Sequence, residues 1–128
     1  MDAVTRLCTA ESRLAAAGWR LPAAPVPRGA YAPYHLAALS DATLICVSGQ
    51  ASRRDGTPIV GTCRPGADLD AARAACAHAA LSALSALREA CGGNLDRVRA
   101  IVQLRGYLRS EGGIRTPQRG AGRRVTGA

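Results

Sequence analysis

The chain has 128 residues, enough for one compact domain and too few for two. Apolar residues make up 48% and aromatic residues 3%, which excludes a disordered chain by composition but leaves a core of Ala, Leu, Val and Ile. The net charge is +8, every basic residue is Arg, and half of the excess lies in residues 113–128. No apolar run is long enough to span a bilayer, and Arg6, Glu11 and Arg13 interrupt any leader-like N-terminal segment. We therefore expect a cytoplasmic protein that does not enter the membrane.

Five scattered cysteines, with no C-x-x-C pair, predict free thiols and neither a disulfide framework nor a zinc site. Cys46 is interpreted as a small buried apolar residue. It is not interpreted as a nucleophile, because no His or Lys that could activate it is close in the sequence. His35 and His78 have no partner at metal or catalytic spacing, and we expect His78 to be solvated. The sequence therefore predicts no metal site.

The N-terminal part, residues 1–20, is predicted to be a helix. Asp2 can cap a helix that runs to about Ala17, and Gly18 is a stop signal. Residues 21–33 contain four prolines, so this stretch is predicted to be an extended connector.

The next stretch predicts a strand and a hairpin. Thr43 to Gly49 is β-rich with apolar residues on both faces, as in a strand that is covered on both sides. Arg53 to Gly56 contains Asp-Gly and predicts a turn, after which Thr57 to Thr62 can pair back as the second arm of a hairpin.

A long helix and one more strand are predicted to follow. Asp68 can cap a helix from Leu69 to about Ala90, which Gly92 and Gly93 end. Arg97 to Leu108 alternates and predicts a strand. This order favours the α+β class, with a single sheet backed on one face by the long helix.

Several segments, in this order and spacing, resemble the RidA/YjgF family, also called the L-PSP endoribonuclease family, over residues 13–112. No single segment is diagnostic, but V-S-G-Q after a strand, then D-G, then a helix before L-D-x-V, is fairly specific. The segments are R-L-A-A-A-G-W-R-L-P (13–22), P-R-G-A-Y (27–31), L-I-C-V-S-G-Q (44–50), D-G-T-P-I-V-G (55–61), the Ala-rich helix and L-D-R-V-R-A-I-V-Q-L-R-G-Y (95–107).

The resemblance implies a chorismate-mutase-like fold that assembles as a homotrimer, with small-molecule clefts at the subunit interfaces. Family members with a full site hydrolyse enamine and imine intermediates to 2-oxo acids and ammonia, without a metal or cofactor. One wall of the cleft falls on Tyr31, with Tyr34 as the alternative, and on Ser48 and Gly49. Catalytic residues are not assigned.

The other wall in the family has an Arg followed closely by Cys or Ser, and a Glu further on. Nothing in residues 113–128 matches it, so we expect residues 21–112 to be a partial domain that lacks its last strands, followed by an aberrant tail. Permitted codons from Ile114 onward, read one base later, encode a string with Asp-Gly-Ala-Ser, which resembles the family's continuation. The hypothesis is a truncating frameshift near Gly113, and a clean trimer is then not expected of this chain.

Three functions follow. The first is an imine deaminase that is inactive for want of the carboxylate-binding Arg. The second is a non-catalytic ligand-binding or regulatory trimer. The third is an RNA-binding module, which we disfavour because no aromatic residue interleaves with the Arg residues of the tail.

Overall fold

The computed structural model describes residues 9–64 and 66–111. Helix α1 covers Ala10–Ala16, and the hydroxyl of Thr9 caps it by accepting a hydrogen bond from the Ser12 amide at 3.1 Å. Gly18, at a φ of 83°, allows the chain to leave the helix. The predicted end of the helix is confirmed, whereas its predicted start at Asp2 lies outside the described residues.

Strands β1 (Tyr34–Ala38) and β2 (Thr43–Val47) form an antiparallel ladder. The sequence predicted β2 but not β1. The β1 sequence, Y-H-L-A-A, contains two alanines and a histidine, which have little preference for strands, and it follows the proline-rich connector. It becomes a strand because β2 provides the hydrogen-bonding partner.

Strands β3 (Arg53–Arg54) and β4 (Thr57–Pro58) form a second, much shorter hairpin. Its turn residues, Asp55 and Gly56, have φ values of 49° and 79°, as a two-residue loop between antiparallel strands requires. The predicted turn is confirmed, but it contains only Asp55 and Gly56, because Arg53 and Arg54 belong to β3. The strand assignment ends at Pro58, and one further backbone hydrogen bond joins the two arms, from the Ile59 amide to the Ser52 carbonyl at 2.9 Å.

Helix α2 spans Leu69–Ala90, as predicted, and ends before Gly92 and Gly93, whose φ values are positive. The predicted cap is wrong in detail, since the Asp68 side chain accepts no hydrogen bond from the helix. Its carboxylate instead accepts bonds from both the amide and Nε of Arg64, each at 2.9 Å. These bonds hold the pKa of Asp68 below its ordinary value of 3.8, mainly through the Arg64 side chain.

The core lies along α2, which packs against β1, β2 and β3. Its apolar residues are small or aliphatic: Ala72, Leu81, Ala86, Cys91 and Leu95. The α+β class with a long helix behind antiparallel strands is confirmed, although the described strands form two two-stranded sheets and not one. None of the described helices is long and apolar enough to cross a membrane.

The predicted strand Arg97–Leu108 is wrong for the described structure. A 3-10 turn covers Leu95–Arg97, and the following residues are exposed, with Val102 at 81% and Tyr107 at 88%. Within the described residues, pairing resumes only at Ser110, which forms an isolated parallel bridge with Cys63. An alternating pattern gives a segment two distinct faces, but a strand also needs a neighbour for its backbone N–H and C=O groups.

We predict that Ser85→Ala destabilises the fold. Ser85 is 2% exposed, and its hydroxyl donates a 2.6 Å hydrogen bond to the Pro22 carbonyl, which fastens the connector to α2. The loss should lower the free energy of unfolding by about 1 kcal/mol relative to Ser82→Ala. Ser82 is the matched control, because it is a buried neighbour on the same helix and makes no such bond in the described part of the chain. Urea unfolding followed by fluorescence of Trp19, the one tryptophan, measures both. Equal losses would contradict this role.

We also predict that the Arg64–Asp68 pair makes stability depend on acid pH. The folded pKa of Asp68 is lowered, so its stabilising effect is present above the ordinary pKa and is lost as the pH falls through the folded value. The urea midpoint of the wild type should therefore exceed that of Asp68→Asn at about pH 6, and the two should converge toward about pH 2. A difference between the two urea midpoints that does not change with pH would show that the Arg64–Asp68 ion pair is not its cause.

Candidate functional site

Ser48 fastens the end of β2 to the chain that enters β1. Its amide donates to the Pro33 carbonyl at 3.0 Å, and its hydroxyl donates to the Ala32 carbonyl. Its own carbonyl accepts a 3.0 Å hydrogen bond from the Gln50 side chain. The hydroxyl is therefore engaged in holding the backbone together and is not free to act as a nucleophile.

Tyr31 lies in a tight loop immediately before this clamp. Its hydroxyl accepts a hydrogen bond from the Arg28 amide at 3.4 Å, and its amide donates to the Gly29 carbonyl at 2.9 Å. The Tyr31 ring lies so close to Gly29 that a Cβ there would approach it to 3.3 Å. The tyrosine is 51% exposed, whereas the alternative, Tyr34, is half-buried in β1 opposite Val47.

The clamp brings the three predicted ligand residues into one region. Ser48 bonds to Ala32, the neighbour of Tyr31, and Gly49 directly follows Ser48. Gly49 is exposed, and a Cβ on it would meet nothing within 4 Å. In the part of the chain that is described, no charged side chain is hydrogen-bonded to any of the three. The surface they form is open and polar.

The prediction that His78 is solvated is wrong, and its contacts could not be inferred from the sequence. It is half-buried, its Nε2 accepts a 3.3 Å hydrogen bond from Nε of Arg54, and the Trp19 ring lies edge-on to it at 6.0 Å. These contacts join the segment that follows α1, the second hairpin and α2. Arg54 and His78 are hydrogen-bonded to each other, so we interpret the cluster as structural and not catalytic.

The β1–β2 register also brings together two residues whose closeness the sequence hid. His35 lies directly opposite Cys46, and both are exposed. The interpretation of Cys46 as a buried apolar residue is therefore wrong, because α2 packs against the ladder without covering this side chain. The sequence analysis missed His35 as the neighbour of Cys46 because it did not predict β1, and the two residues meet only through the pairing of β1 with β2.

No cluster of three or more His, Cys, Asp or Glu side chains that could hold a metal ion occurs among the described residues. The candidate site therefore consists of Tyr31, the Ser48 clamp and the backbone at Gly49.

Comparison with known proteins identifies relatives of this fold. A family model described as "YjgF/chorismate mutase-like, putative endoribonuclease" matches residues 11–122. A crystal structure of a "putative endoribonuclease" from Shewanella oneidensis MR-1 is 36% identical in sequence and superposes with a TM-score of 0.61. That match covers 73% of this chain and 59% of the Shewanella chain, so the present chain spans less than two thirds of that relative's length. None of the curated proteins matches this chain.

We predict that Ser48→Ala loosens the loop that carries Tyr31. Without the hydroxyl bond to Ala32, the preceding chain should open more often, and trypsin should cut after the exposed Arg28 about five-fold faster, as expected for the loss of roughly 1 kcal/mol. Mass spectrometry of early digests measures the cut. Ser52→Ala is the matched control, because it removes a similar serine bond, to the Ile59 carbonyl, in the other hairpin. If Ser48→Ala and Ser52→Ala accelerate the cut equally, the Ser48 hydrogen bond does not specifically hold the Tyr31 loop.

Proposed function

Because the chain belongs to the YjgF/chorismate mutase-like family, we propose that Tyr31, Ser48 and Gly49 form one wall of a cleft for small enamine and imine molecules. The reaction is hydrolysis to a 2-oxo acid and ammonia. The observation that carries the proposal is the Ser48 clamp, which bonds Ser48 to Ala32, 16 positions earlier in the sequence, and so sets the Tyr31 loop next to the end of β2.

The backbone at Gly49 suits this chemistry. Imine hydrolysis begins when water adds to the carbon of the C=N bond, so the protein must orient a water molecule beside that carbon. Gly49 is exposed, and its backbone makes no hydrogen bond within the described part of the chain. Its N–H and C=O are therefore free to orient that water, while the Tyr31 ring provides an apolar contact for the substrate.

This chemistry also requires a cation for the substrate carboxylate, and in the described part of the chain no charged side chain is hydrogen-bonded to Tyr31, Ser48 or Gly49. Arg53 has a buried guanidinium nitrogen without a partner, but it belongs to the second hairpin. No described contact joins Arg53 to Tyr31 or Ser48. We infer that the deaminase activity of this chain is negligible.

The missing cation is part of a wider proposal about residues 113–128. A single-base frameshift near Gly113 would have replaced the family's second wall with the Arg-rich tail. A gene sequence that is incompatible with the shifted codons would exclude this. A homotrimer with ligand clefts between subunits is proposed for the frame-restored chain and not for this one. The exposed Val102, Leu104 and Tyr107 are apolar surface that such association would cover.

RNA binding is the second candidate, and one observation favours it. Tyr107 is 88% exposed and is flanked by Arg105 and Arg109, both exposed, so an aromatic ring for base stacking stands between two cations for phosphates. RNA binding that weakens with salt and with Tyr107→Ala would favour this candidate. A non-catalytic ligand-binding trimer has no observation of its own.

We predict that this chain releases no more ammonia than buffer from an imine that a pyridoxal-phosphate enzyme generates in situ. A version with the reading frame restored should release ammonia at least about ten-fold faster, since electrostatic holding of a substrate group contributes at least this much. Restored chain with Tyr31→Ala should lose most of that rate, while Ser52→Ala, which changes only a hydrogen bond of the second hairpin, should keep it.

Two outcomes would contradict the proposal. Activity in the unrestored chain would show that the cation is not needed or is already present. An inactive restored chain that sizes as a trimer would exclude the deaminase function.

A further inference from the structure

The β1–β2 ladder places an imidazole next to a thiol. His35 and Cys46 are direct partners in the antiparallel register, so both side chains leave the same face of the ladder. Directly opposite residues have Cβ atoms about 4.5–5.5 Å apart, close enough for an imidazole nitrogen and Sγ to meet by rotation about χ1 or through one water. Both residues are exposed.

Both groups are available for chemistry. Among the described residues, neither side chain takes part in a hydrogen bond, an ion pair or a ring contact. His35 can therefore use a nitrogen lone pair as a proton acceptor. A thiol reacts as its thiolate, so a neighbouring base that takes the proton raises its reactivity, as in other Cys–His pairs.

We propose that Cys46, assisted by His35, is a modification site for soft carbon electrophiles of the α,β-unsaturated carbonyl class. The imidazole accepts the thiol proton, and Sγ forms a bond to the β-carbon of the electrophile while its C=C π bond breaks. The imidazolium then returns the proton to the α-carbon. The sum is the addition of S–H across one double bond, with no oxidant, reductant or leaving group.

The same chain provides a matched control in Cys76. Cys76 is also exposed and also has a histidine close in sequence, His78. On a helix, however, residues two apart point in different directions, and Nε2 of His78 already accepts from Arg54. Cys63 is half-buried and Cys91 is buried at 5% exposure, so we expect both to react slowly. The proposal does not depend on the deaminase proposal, because it uses neither Tyr31 nor Gly49.

The test is the rate of acrylamide addition at each cysteine of the full chain at about pH 7, followed by peptide mass spectrometry. Cys46 should react about ten-fold faster than Cys76, because a positioned base that accepts the proton during addition contributes at least this much. His35→Gln should reduce the Cys46 rate to that of Cys76, and His78→Gln should change neither rate. Continued protection of Cys91 reports that each variant is folded.

Two further measurements separate proton acceptance from steric effects. At about pH 10, where free thiols ionise without help, the effect of His35→Gln should vanish. In concentrated urea the ladder is lost, so the wild-type rates at Cys46 and Cys76 should become equal. The proposal is overturned if Cys46 is no faster than Cys76 in the folded chain, if His35→Gln leaves its rate unchanged, or if the effect of the variant persists at pH 10.

Discussion

Pairing between β1 and β2 is the constraint on which both proposed sites depend. The ladder supplies hydrogen-bond partners to β1, whose own residues have little strand preference. It also brings Pro33 beside Ser48, so that the amide and hydroxyl of Ser48 can close the end of the sheet onto Ala32 and Pro33. The Tyr31 loop and the His35–Cys46 pair are consequences of this one register. A shift by one residue would move every side chain of β1 to the opposite face and separate both sets.

Helix α2 packs against the ladder mainly through small side chains, and Leu81 is the one large apolar side chain among its buried positions. Its buried positions include Ala72, Ala86 and Ser85, which allow close approach but bury little area per residue. The bond from Ser85 to the Pro22 carbonyl therefore matters more than it would in a core rich in aromatics, because it fixes a connector that has few other attachments. A thin core of this kind stabilises a fold weakly unless further surface is covered.

The stretch 98–109 has a sequence suited to a strand but no neighbouring strand in the described structure. Its exposed Val102 and Leu104 are the kind of surface that proteins usually cover. In the described part of the chain no charged side chain is hydrogen-bonded to Tyr31, Ser48 or Gly49, although the proposed chemistry needs a cation. Cover for the apolar stretch and a cation for the substrate are what the proposed family-type trimer would add.

Local pattern alone determined a substantial part of this protein. The bounds of α2, the course of β2, the end of α1 and the Asp55–Gly56 turn follow from helical periodicity, β-branched residues and glycine conformations, all of which act within a few residues. The order of motifs was enough to indicate the family and to select Tyr31, Ser48 and Gly49. Tertiary structure decided what depends on a distant partner: that Y-H-L-A-A is a strand, that residues 98–108 are not, that Asp68 binds Arg64 and does not cap the helix, and that His35 meets Cys46. The free energy of strand pairing depends on both partner segments, so it cannot be inferred from the local sequence of either one.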